Sequence, residues 1–208
     1  LIIFATTSHL LGYVMRWPCR AGLFTNRDRY PRLCYSDIAY LYTGRGFSVG
    51  AIPYLDHPPG KEVLEYPVLT GLFMQIASTL TGHDGSATAR SITFYHWNVV
   101  LLFACLIVTV IATALTVRRR PWDAAFVALA PGVILCSVIN WDLLAVALTA
   151  VSMLLWSRSR PVASGVLLGL AVAAKFYPVL LLGPLLLLCF RSQRLRAFGQ
   201  VAAGAAVS

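Results

Sequence analysis

Residues 91–117, SITFYHWNVVLLFACLIVTVIATALTV, carry no charged side chain and stop at Arg118-Arg119-Arg120. A run of this length exceeds the roughly 20 apolar residues that a bilayer-crossing helix needs. Backbone groups within a bilayer must be satisfied internally, so the run is expected to be a helix. The rest of the chain is of the same kind, 58% hydrophobic and only 12% charged, too apolar for a soluble domain. The expected fold class is all-α: a polytopic transmembrane helical bundle. The net charge of +9 does not argue for nucleic acid, because the basic residues punctuate apolar runs. That arrangement suits lipid headgroups and membrane orientation, so the expected partners are membrane lipids and no nucleic acid.

The remaining segments are read as one incomplete transmembrane domain. Residues 1–15 are expected to end a first span, and 16–66 form a long polar loop holding most of the prolines, tyrosines and acids. Residues 67–81 are short for a span and contain Thr70, Gln75, Ser78 and Thr79, which favours an amphipathic helix lying at the interface. Two helical hairpins follow, 122–156 with arms 122–138 and 143–156, and 161–190 with arms 161–174 and 179–190, and 197–208 would start a further span. One long helix over 161–190, kinked at Pro178, is the alternative to the second hairpin. The chain starts at Leu1 and ends at Ser208 within an apolar run, so a piece of a longer protein is expected.

Orientation is drawn two ways. The clusters 118–120, 158–160 and 191–196 share one side, cytoplasmic by the positive-inside rule. The loop carries Arg16, Arg20, Arg27, Arg29, Arg32 and Arg45, so charge counting would put it inside as well. If 67–81 does not cross, only 91–117 separates loop from clusters, and the loop is outside. Cys19 and Cys34 lie in this loop and would be free to pair as a disulfide if it faces an oxidising compartment.

Asp37, in CYSDIAYLY, stands among aromatic and aliphatic neighbours. It is either a helix-capping or solvated aspartate, or a general base at the membrane surface walled by Tyr35, Tyr40 and Tyr42. The stretch PYLDHPPGKEVLEYPVLTGLF, 53–73, is an ordered, non-helical connection leading into an apolar helix. It is either a plain surface loop or the lining of a pocket. In the second case Tyr54, Asp56, His57, Glu65 and Tyr66, with Tyr35, suit sugar hydroxyls, whereas Lys61 or Arg45 suits a lipid phosphate. No P-loop, HExxH or zinc-ligand spacing occurs. The basic run Arg16–Arg32 is expected to meet anionic headgroups.

Taken together, Tyr35-Ser36-Asp37, PYLD, EYPVLTGLF and AAKFYPVLLLGPLLLL resemble the polyprenol-phosphate-mannose-dependent mannosyltransferases of glycosyltransferase family 87, in the GT-C superfamily. The resemblance covers essentially the whole chain, as the N-terminal portion of such an enzyme. It implies a multi-pass plasma-membrane protein with its first loop, helices of which lie along the membrane surface, on the extracytoplasmic side. It implies a polyprenyl-phosphate-mannose donor, a glycolipid or cell-envelope glycan acceptor, inversion, and Asp37 as the base. No metal or other cofactor is implied, because a monophosphate leaving group needs positive charge nearby more than a metal. Lys175, at an apolar turn, would then meet the donor phosphate or else snorkel to the interface. Asp142 would cap its helix or serve as an acceptor-site acid. A secondary transporter or permease is the rival reading, kept alive by Lys175 beside Pro178, and an inactive truncated fragment is the third.

Overall fold

The computed structural model describes residues 1–208, all of it helix, turn and loop without a strand. Helix α1 spans Ile2–Arg16, and after two short 3-10 turns α2 spans Ile38–Gly44. Helix α3 is Val68–Thr81, and α4, Ala87–Thr116, is the one helix long and apolar enough to cross a membrane. Its 30 residues rise about 45 Å. Ser86 starts it early, accepting the Ala89 N–H on its side chain. The remaining helices are α5 Ala125–Ala128, α6 Pro131–Cys136, α7 Asp142–Ser157, α8 Pro161–Ala174, α9 Leu182–Arg191 and α10 Leu195–Val207.

The largest cluster of buried side chains sits where the polar loop meets the first half of α4. Phe24 packs on Tyr95 at 4.4 Å, and Tyr42 lies against Phe94 at 4.9 Å. Tyr42 is therefore a core residue and does not wall Asp37, whereas Tyr40 on the opposite face of α2 is exposed. Helix α3 buries Thr70, Gly71, Met74 and Ala77 against the bundle. Its outer row, Val68, Leu72, Ile76 and Leu80, is apolar and exposed.

The first expected hairpin does not close on itself, and the arms of the second share the cluster of Leu168 and Leu185 with Val201. The arm 122–138 breaks at Ala130, held extended ahead of Pro131, and its pieces pack on α1 and α4 instead of on α7. In the second pair Lys175 is extended, with φ −153° and ψ 140°, which ends α8 and excludes one kinked helix over 161–190. The hairpin that does form is α7–α8, and α10 rather than α9 covers the other side of α8. Gly204 permits that crossing, since a Cβ there would stand 2.6 Å from the Val162 carbonyl oxygen.

Arg16 corrects the headgroup expectation for the start of the basic run. It is fully buried and donates to the Gly12 carbonyl at 2.7 Å and to those of Ile134 and Leu135. Ile134 and Leu135 belong to the last turn of α6, whose carbonyls lack helical donors. A cation there satisfies them and complements the helix dipole.

Candidate active site

One side-chain and one backbone hydrogen bond assemble the site. Ser36, buried, donates Oγ to the Val138 carbonyl at 2.8 Å, and the Asp37 N–H donates to the Ile139 carbonyl at 3.0 Å. The loop is thereby fastened to the turn that begins α7. A disulfide joins Cys19 to Cys34, with Cα atoms 5.9 Å apart, and fixes the approach to Ser36. On the other side Thr70, buried in α3, donates to the Ala174 carbonyl at 2.7 Å. That bond satisfies one of the orphan acceptors at the end of α8 and sets Lys175 beside Tyr66.

Asp37 precedes α2 but its side chain caps nothing. One oxygen accepts the Tyr35 hydroxyl and the other accepts the Tyr66 hydroxyl at 3.4 Å. The bond to Asp37, reinforced by burial, pushes the Tyr35 phenol up to about 12, so it remains a donor at neutral pH. Tyr66 is raised as well, first by burial and then by the Asp37 charge. Its ring meets Trp141 edge-on at 5.1 Å, and the buried Trp141 donates to Asn98 Oδ1 at 2.6 Å.

Lys175 Nζ lies 4.9 Å from the centre of the same Tyr66 ring and 3.0 Å from Asp142 Oδ1. Asp142 is thus the lysine's partner rather than a cap, the cap-like bond to its N–H coming from Asn140 Oδ1 at 3.1 Å. Asp37, Tyr35, Tyr66, Lys175 and Asp142, drawn from four segments, form one continuous run. No carboxylate cluster or histidine joins them, and no three His, Cys, Asp or Glu side chains converge anywhere as metal ligands.

An open cleft of about 390 Å³ exposes Asp37, lined also by Arg29, Tyr35, Tyr40, Glu65 and Tyr66. Arg45 reaches it but is held by Glu65, at 2.7 and 2.9 Å, and by Glu62. That pairing raises Arg45 and holds the Glu65 carboxyl below its ordinary range. Lys61, Asp56 and His57 line a separate, smaller cavity of about 90 Å³. There Asp56 accepts the Ile52 N–H at 2.8 Å. Tyr54 donates to the Tyr66 and Pro67 carbonyls, at 2.8 and 3.0 Å. Its ring lies where a Cβ on residue 71 would be, which is why Gly71 stands there. Ser36, Thr70 and Trp141 were not among the sequence candidates, and Arg29 entered only as one of the basic run expected to meet anionic headgroups.

An all-helical body with one membrane-length helix, bearing an aromatic-walled carboxylate beside a lysine–aspartate pair, has the features of a membrane-associated enzyme. The sequence model of glycosyltransferase family 87 matches residues 64–208, and the chain belongs to that family. It is accordingly a glycosyltransferase of a membrane-associated family. The matched residues include Glu65, Tyr66, Asp142 and Lys175, while Asp37 lies ahead of them. No curated protein and no solved structure matches the chain.

Proposed function

We propose that the protein transfers a hexosyl group, mannose by its resemblance to the mannosyltransferases of the family, from a polyprenyl-phosphate donor to a glycolipid or cell-envelope glycan. Asp37 is the base. The observation that carries this is the Asp37 carboxylate, held by two phenol donors at the edge of an open cleft, with Lys175 across the Tyr66 ring. An acceptor hydroxyl displaces the longer of the two contacts, the 3.4 Å bond from Tyr66. Its oxygen attacks the anomeric carbon as Asp37 takes its proton. The bond from that carbon to the phosphate oxygen breaks, and polyprenyl phosphate leaves on the opposite face with the electron pair. The sugar configuration inverts.

A monophosphate leaving group gathers charge as it departs, and a preorganised cation answers that need. Lys175, with its position fixed by Asp142 and Thr70, is the donor-side cation; no metal or other cofactor is invoked. The chain is taken to be part of a multi-pass GT-C bundle in the plasma membrane. Its loop 16–66 lies outside, α3 lies along the surface, and the donor arrives within the bilayer because activated nucleotide sugars are confined to the cytoplasm. The apolar outer row of α3 supports this placement. The ion pair of Lys175 sits next to the loop rather than amid the spans, which favours a surface enzyme over a transporter. The test is sugar transfer by the full-length protein in proteoliposomes, offered radiolabelled polyprenyl-phosphate mannose or nucleotide-linked mannose. Transfer from the first alone is expected; transfer from the second alone would refute the donor assignment.

A further inference from the structure

The cleft holds a cation that neither the lysine pair nor the Arg45 cluster accounts for. Arg29 lines it together with Asp37, yet forms no ion pair, the neighbouring Asp28 being taken by Arg32. Its Nη1 donates to the carbonyls of Thr25 and, at 3.2 Å, Asn26, and its Nε has no hydrogen-bond partner. The guanidinium carbon stands 4.7 Å from the centre of the Tyr30 ring and 5.9 Å from that of Tyr35. Tyr35 in turn donates to Asp37, so its ring spaces the cation from the base and leaves both charges unneutralised. The segment is fixed as well: the Cys34 N–H donates to the Arg29 carbonyl at 2.9 Å, two residues from the Ser36 anchor and at the disulfide itself. By contrast, Arg45 is neutralised by Glu62 and Glu65, and Lys175 by Asp142.

We propose that Arg29 is a phosphate receptor of the Asp37 cleft, binding a phosphate group of one of the two substrates. This rests on the sugar-transfer reading of the cleft. An aromatic-stacked guanidinium is rigid and presents planar, paired donors that match phosphate oxygens, whereas carbonyl partners alone leave its charge unanswered. Phosphate is the chemistry that a polyprenyl-phosphate donor and a glycolipid acceptor built on an anionic phospholipid would share. Held at Arg29, a phosphate of either would lie in the cleft that exposes Asp37.

The full-length protein in phosphatidylcholine nanodiscs is titrated with polyprenyl monophosphate and, separately, with phosphatidylinositol, and binding is read by native mass spectrometry. Arg29→Gln is expected to weaken one probe about tenfold or more and leave the other within about twofold, with Arg29→Lys in between. Loss of the polyprenyl phosphate assigns Arg29 to the donor; loss of phosphatidylinositol assigns it to the acceptor. Unchanged binding of both probes overturns the proposal, as does equal loss of both that Arg29→Lys does not restore. If Arg29-dependent binding persists in a protein that transfers no sugar from any polyprenyl-phosphate donor, the transfer reading fails and the phosphate site stands. Normal transfer without Arg29-dependent binding means the reverse.

Discussion

Lys175 Nζ stands 3.0 Å from Asp142 Oδ1, joining the end of α8 to the start of α7 on the side where the loop docks. With half of the aspartate side chain exposed, the pair adds at most about 1 kcal/mol to stability. Its consequence is positional: it fixes an ammonium over Tyr66 and, through Tyr66, beside Asp37. Lys175→Met should therefore lower the transfer rate by about a hundredfold, as removal of a preorganised charge-stabilising group does. Its melting temperature should stay near that of wild type. A rate unchanged in steady-state assays would remove Lys175 from the donor side.

Thr70→Val should destabilise the protein by about 1–3 kcal/mol, because the buried Ala174 carbonyl loses its donor. The thermal midpoint, measured in detergent, should fall, and transfer should fall with it as Lys175 loses its register with Tyr66. Thr70→Ser, which keeps the hydroxyl, should restore both.

The Arg45–Glu65 pair predicts an acid-sensitive loop. Glu65 is depressed in the folded protein, chiefly by its bond to Arg45, so its contribution is fully present above its unfolded pKa. It is lost as pH falls through the lower native value. At 58% exposure of the Glu65 side chain the contribution is no more than about 1 kcal/mol. Thermal melts of wild type and Glu65→Gln should differ at neutral pH and converge in acid. A gap that widens as pH falls would contradict the assignment.

The side on which the loop lies is measurable at Val49, whose residue is 63% exposed. Cys34 is buried in the disulfide and cannot report. In intact cells expressing the full-length protein, Val49→Cys should react with a membrane-impermeant thiol reagent above the wild-type background. Reaction only after permeabilisation would put the loop in the cytoplasm and exclude an extracytoplasmic transfer site.

Local pattern made α4 legible: its uncharged run leaves few alternatives to a helix, and Pro161 and Lys175 bracket α8 as the chemistry of its ends predicts. The segment 122–138 read as one arm because its apolar content is continuous. Its break depends on Ala130 and Pro131 together with surfaces on α1 and α4 that no local window contains. Asp37, Tyr66, Asp142 and Lys175 could be singled out by residue type, but their convergence rests on Ser36 and Thr70 bonding carbonyls far along the chain. Arg45, Tyr54 and Asp56 show the opposite case. A long non-helical loop must satisfy its own polar groups, and these three are occupied in doing so. Arg16 likewise looked like a headgroup contact and instead closes a buried helix end.

The most direct test of the central claim is the initial rate of sugar transfer from polyprenyl-phosphate mannose by full-length Asp37→Asn beside wild type. Removing the base while keeping its shape should lower the rate by about 10²–10⁴-fold, with donor binding and thermal midpoint unchanged. A wild-type rate from the folded variant would show that Asp37 does not take the proton.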